Sequence, residues 1–147
     1  MDTSDIVDIY QLEAFCHHAV DHEDQSLFHL VFTEDARFDG RKTGGPLFVG
    51  LEEIKGFFAL GKPPHPPMHH MTNCWVYEED GRVRVKMKWM VPDPNSGQMI
   101  GGVNIDWVVK TPEGWRIRER VAELHYPKEG FAKSTGAAFE GAPGHVA

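Results

Sequence analysis

The chain has 147 residues, 41% hydrophobic and 25% charged, a length suited to one domain whose core can hold a single pocket. Lys and Arg number 15 against 22 Asp and Glu, a net charge of −7 with no long basic run, which excludes the electrostatic footprint of a nucleic-acid binder. The acidic opening stretch lacks the apolar run of a signal peptide or membrane span, so a cytoplasmic, membrane-free protein with Cys16 and Cys74 as reduced thiols is expected.

In residues 4–20, Ile6, Ile9, Leu12, Phe15 and Ala19 recur every three or four positions, the period of an amphipathic helix. A second short helix is predicted over 24–32, where Asp24 can cap and Leu27, Phe28, Leu30 and Val31 supply an apolar side. Gly40, Gly44, Gly45 and Pro46 divide 36–49 into short extended pieces. Residues 50–61 read as a third helix burying Leu51, Ile54, Phe57, Phe58 and Leu60, with Gly61 at its end. Four prolines in 62–68 make that segment a stiff connection.

From there the period changes from helical to alternating. In 82–89, Arg82, Arg84, Lys86 and Lys88 alternate with Val83, Val85, Met87 and Trp89, a strand with one wet face and one buried face. Strands over 69–77, 98–110 and 115–124 flank it across turn sequences, which makes a four-stranded meander. The Gly- and Ala-rich residues after Pro127 read as a flexible tail, in which Phe131 and Phe139 could help form a lid. The expected architecture is therefore α+β: a cone-shaped, curved antiparallel sheet covered by three N-terminal helices, occupying residues 1–126, with 127–147 as tail. A pocket should open inside the cone.

Two residues stand out for chemistry there. Asp21 ends the first helix, and His69 and His70 begin the first long strand. A carboxylate bonded to one imidazole nitrogen fixes the tautomer and raises the basicity of the other, a proton acceptor suited to neutral pH. The alternative reading leaves Asp21 as a helix terminator and the histidines half-exposed. Arg120 is a third candidate, but if Trp115, Ile117 and Val121 point inward, alternation sends Arg120 to solvent unless a bulge intervenes. If buried, it must be paired, with a substrate anion or Asp21 as partner.

AVDHED after the first helix, LVFTEDARFDG, the G-x-x-x-I-x-x-F-F helix at Gly50, HHMTN and EGWRIRER together resemble the SnoaL-like branch of the nuclear transport factor 2-like superfamily, a cystatin-like α+β barrel, over residues 4–126. The layout is most similar to scytalone dehydratase, bile acid dehydratase and γ-hexachlorocyclohexane dehydrochlorinase. The resemblance implies a cofactor-independent lyase or isomerase, with no metal, acting on a small apolar cyclic metabolite of polyketide or steroid type. It carries the catalytic Asp–His dyad onto Asp21 and His69 and a pocket arginine onto Arg120. Cys16 stands where those enzymes have a Tyr or Lys that assists the leaving group, which leaves His17 or Tyr126 as substitute donors. Cys16, Asn104, Trp89 and Tyr126 are the expected substrate-binding residues.

Other readings compete. His18 and His22 at i, i+4 spacing flank Asp21, yet no further metal ligand accompanies them and surface positions suit them better. Asp39, Asp106 and Tyr10 are similar to the base and oxyanion groups of ketosteroid isomerases, a second choice because the spacing at Asp39 is one residue short. Trp75, Trp89, Trp107 and Phe38 are read first as core. A hydrophobic-ligand-binding protein or scaffold subunit is the non-catalytic alternative. Charges beside apolar residues on the outer sheet face suggest a homodimer or homotrimer, which elution as a monomer would contradict.

Overall fold

The computed structural model describes residues 1–59, 68–92 and 98–127. The chain opens with helix α1, Thr3–Asp21, capped by a reciprocal box in which the Asp2 carboxylate accepts the Asp5 N–H and the Asp5 carboxylate accepts the Asp2 N–H. Its period-3.6 stripe buries Ile9, Leu12, Cys16, Ala19 and Val20. Asp5 also accepts Lys110 Nζ at 2.6 Å and the indole N–H of Trp115 at 3.2 Å, which ties the start of the helix to the sheet.

The second helix is a 3-10 helix, Gln25–Leu30, with Asp24 capping it through the Ser26 N–H as expected. Strand β1, Phe32–Lys42, follows without interruption, longer than the short pieces predicted; the break comes only at Gly44, and β2, Leu47–Val49, returns antiparallel to it. Helix α2 is Leu51–Ala59, and the Glu53 carboxylate reaches back to the Val49 N–H at 2.8 Å. Leu60, Gly61, the proline-rich connection up to Pro67 and the tail beyond Pro127, including the suggested lid, lie outside the described residues.

Strands β3 His70–Glu79, β4 Arg82–Pro92, β5 Met99–Thr111 and β6 Gly114–Tyr126 form the expected meander. Asp80 and Gly81, at φ of +50° and +71°, make the tight β3–β4 turn that the right-handed strand twist favours. The sheet order is β2-β1-β6-β5-β4-β3, curved and unclosed, and one pairing departs from the antiparallel expectation: β1 runs parallel to β6. The helices cover the concave face, where Val85, Met87, Val108 and Ile117 meet Ile9, Phe28 and Ile54 in the core.

Three of the four tryptophans, Trp75, Trp89 and Trp107, do not belong to that core, although all three are read as core in the sequence. Trp107 is flanked on the outer face by Arg82 and Arg118, whose guanidinium carbons lie 4.3 and 5.1 Å from its ring, and Trp75 stacks on Tyr77 at 4.5 Å.

Register shifts decide which side chains enter the cone. Trp107 pairs with Glu119 but Val108 with Ile117, so Arg118 is an extra residue in β6. The shift inverts the facing along the strand: Trp115 and Ile117 are buried before it, Arg120 and Ala122 after it. A second shift between Gly101 and Gly102 makes His125 extra at the strand end. A Cβ on Gly102 would overlap the Glu123 carbonyl oxygen and sit 2.8 Å from Trp89 Cζ2. Gly102→Ala is therefore expected to cost about 2 kcal/mol or more in urea denaturation, by overpacking against backbone that cannot move aside.

Candidate active site

The cone encloses a cavity of about 340 Å³. Its lining is largely aromatic and aliphatic, with Phe32, Phe38, Phe57, Phe58, Trp89 and Leu124, and also includes the polar side chains of His69, His17, Asn104 and Arg120 and the thiol of Cys16. An apolar wall with a few convergent polar groups is the usual composition of a small-molecule site.

Asp21 and His69 meet. His69 Nδ1 and Asp21 Oδ1 form a short hydrogen bond, and Asp21 Oδ2 accepts the backbone N–H groups of His69 at 2.8 Å and Met68 at 3.1 Å. The helix end supplies the carboxylate and the approach to β3 supplies the three donors. Burial pushes the Asp21 carboxyl up, but the hydrogen bonds from His69 and Met68 outweigh it and hold the group below its usual value. An ionised Asp21 accepts only, so in the neutral imidazole Nδ1 carries the hydrogen and Nε2 the lone pair. Both side chains are mostly buried, at 15% and 14% exposure, and His69 lines the cavity while Asp21 stands behind it.

Arg120 lies in the cone, 3% exposed, because of the extra residue at Arg118. Its partners are neither Asp21 nor an open anion site. Nε donates to Asp106 Oδ1 at 3.0 Å, Nη2 to Asp106 Oδ2 at 2.6 Å and to Glu13 Oε2 at 2.5 Å, and Nη1 to Cys16 Sγ at 3.2 Å. Four of its five N–H groups are thus engaged, and one on Nη1 remains for the cavity. Burial alone would lower the guanidinium's pKa; Asp106, Cys16 and Glu13 reverse that and hold it well above its usual value. Burial, then the Asp106 charge, push Glu13 well above the carboxylate range, and its Oε1 has no partner among the described residues. A neutral Glu13 beside an Arg120–Asp106 ion pair accounts for both facts.

Cys16 lines the cavity, and burial pushes its thiol up to about 12, so it is neither nucleophile nor strong acid at neutral pH. His17, offered by the sequence as a substitute proton donor, cannot serve as one. Its Nδ1–H donates to the Glu13 carbonyl at 2.8 Å, and burial, followed by the Arg120 charge, lowers its pKa to about 3. Stability should respond with a definite sign. As pH falls below about 6.5 the unfolded His17 gains a proton that the buried ring resists until about pH 3, so His17 contributes a loss of about 4 kcal/mol across that range. Denaturation of His17→Phe should lack this component; an unchanged acid slope would contradict the assignment.

Asn104 and Trp89 line the cavity as expected, and the Asn104 carboxamide, 6% exposed, has no hydrogen-bond partner among the described residues. Tyr126 does not line it: past the extra residue His125 the strand has left the cone, and the ring is 59% exposed. The ketosteroid-type set is not assembled. Asp39 is held bidentately by Arg41, which lowers its carboxyl to about 2, Tyr10 donates to the Cys74 carbonyl at 2.7 Å, and Asp106 is committed to Arg120. His18 and His22 are exposed, and His22 Nδ1 donates to the His18 carbonyl. The aromatic wall from α2 was read in the sequence only as core; its signal is the adjacent pair Phe57 and Phe58, whose rings lie 4.9 Å apart.

Residues 1–121 match the SnoaL-like domain family. The chain belongs to that family, within the nuclear transport factor 2-like superfamily. No curated protein matches it. Among solved structures, this SnoaL-like chain is similar to a protein of unknown function with a cystatin-like fold from Nostoc punctiforme, at 18% identity and TM-score 0.73 over 86% of this chain and 96% of that one. A protein from Novosphingobium aromaticivorans, provisionally named an aromatic ring hydroxylase, is 27% identical at TM-score 0.70, covering 86% and 93%. The protein Aln2 from a Streptomyces species is 23% identical at TM-score 0.65, covering 84% and 93%. SnoaL-like proteins are often isomerases, cyclases or dehydratases. Among the described residues, no helix is long and apolar enough to cross a membrane.

Proposed function

We propose that this SnoaL-like protein is a cofactor-independent lyase or isomerase that removes a proton from carbon in a small, largely apolar cyclic metabolite. The observation that carries the reading is the hydrogen-bonded Asp21–His69 pair at the wall of an apolar cavity. His69 takes the proton at Nε2, and the Asp21 carboxylate holds the ring in that tautomer and stabilises the imidazolium that forms. The free Nη1–H of Arg120 and the Asn104 carboxamide hold the oxygen on which charge develops. Cys16, in the position of the family's leaving-group acid, favours enolisation or isomerisation over expulsion of hydroxide.

A ketone with acidic carbon-bound hydrogens, 2-tetralone, is a suitable test compound. In D₂O the protein should accelerate deuterium incorporation next to the carbonyl, followed by NMR. The second reading, a ligand-binding protein without catalysis, is favoured by Cys16 in place of that acid and would be seen as tetralone binding with no exchange above buffer.

A further inference from the structure

His17 has a settled chemistry that the proton-abstraction scheme does not use. The Glu13 carbonyl can only accept, so the Nδ1 of His17 must carry its hydrogen. The distal nitrogen, Nε2, is then a lone-pair acceptor, with no hydrogen-bond partner in the protein among the described residues. The ring is 7% exposed, lines the cavity, and lies 5.5 Å from the His69 ring, centroid to centroid. Nε2 is not among the fully buried unpartnered atoms, so it stays accessible on the cavity side, where a ligand hydroxyl can donate to it.

The charge state of the neighbourhood narrows the donor. Arg120 is the cation of this wall, and its charge is already met by Asp106, with the Glu13 carboxyl against the same guanidinium. An incoming carboxylate would find no uncompensated positive charge and would face Asp106 behind the guanidinium. Besides His69, whose Nε2 the proposed scheme uses, the lining offers one N–H on Arg120, the two-sided carboxamide of Asn104, the indole N–H of Trp89, unpartnered among the described residues, and the acceptor on His17, together with four phenylalanines.

From this set we infer that the cavity selects an uncharged ring compound bearing a hydroxyl group, the hydroxyl donating to His17 Nε2, and that His17 is a specificity-determining residue. The inference rests on the cavity being the ligand site, as proposed above, but not on the dyad being catalytic.

Calorimetric titration with 2-naphthol, 2-methoxynaphthalene and 2-naphthoate tests it on wild type, His17→Phe and His17→Gln. Wild type should prefer naphthol to its methyl ether, and the ratio of dissociation constants should fall by about 10-fold in His17→Phe, which fills the same space without an acceptor. His17→Gln, which restores an acceptor oxygen, should recover part of the preference, and naphthoate should be the weakest ligand throughout. An equal ratio in wild type and His17→Phe, tightest binding of naphthoate, or no naphthol binding at millimolar concentration would each overturn the inference. His69→Ala should keep the naphthol preference. Lost tetralone exchange with that preference intact is the dyad reading at work, and wild type without exchange but with the preference fails the dyad reading alone.

Discussion

Asp21→Asn is expected to lower tetralone exchange by 10²-fold or more while leaving the fold intact, although the two side chains have nearly the same shape. The reason lies in the donors around the carboxylate. Oδ2 faces two backbone N–H groups, those of Met68 and His69, which any replacement must meet with an oxygen. An asparagine must therefore turn its carbonyl to the backbone and its NH₂ toward His69 Nδ1. That nitrogen must then accept, which moves the ring hydrogen to Nε2 and removes the lone pair from the position that takes the proton. His69→Ala should lose at least as much by deleting the base itself. Exchange rates for both variants within a factor of two of wild type would exclude the dyad as the source of activity.

The second large effect concerns stability. The Arg120 cluster contains two carboxyls and one guanidinium at 4% exposure or less, and the two carboxyls are not equivalent. With Glu13 neutral, Glu13→Gln replaces an uncharged acid by an uncharged amide and should cost about 1 kcal/mol or less near neutral pH. Because the folded Glu13 holds its proton above the unfolded value of 4.5, its contribution is full below that pH and is lost as pH rises through the folded value. Wild type should therefore lose stability relative to Glu13→Gln on going alkaline. Asp106→Asn removes the main partner of a buried cation, and Glu13 can ionise in compensation. In the double variant nothing compensates, and about 3–5 kcal/mol should be lost. Urea denaturation of the three variants reads this directly. A Glu13→Gln cost equal to that of Asp106→Asn would identify Glu13 as an ionised partner instead.

Much of the fold was legible because its signals are local. The alternation of charged and apolar residues in β4, the stripe on α1 and the turn sequences between strands each depend on a few neighbours. The contact of Asp21 with His69 could be framed in advance because each ends or begins an element, so few orientations are open to them. Arg120 could not be assigned a face by alternation, because the extra residue at Arg118 is set by how β6 fits β5 across the sheet and has no local sequence mark. The same applies at His125, which sends Tyr126 out of the cone. The parallel pairing of β1 with β6, Trp75 and Trp107 on the outer face, and the neutral state of His17 are likewise tertiary facts: each depends on what the folded chain packs beside the residue. Only the bulk of those side chains is visible in the sequence.

The central claim is that a carboxylate fixes an imidazole so that its lone pair serves the cavity. Nitrogen-15 NMR of the histidine rings reads that arrangement without any substrate, with His69 assigned from the spectrum of His69→Ala. In the wild type the neutral ring of His69 should be protonated at Nδ1 and unprotonated at Nε2, and Asp21→Asn should exchange the two. A neutral His69 that carries its hydrogen on Nε2 in the wild type, or that is indifferent to Asp21→Asn, would contradict the claim.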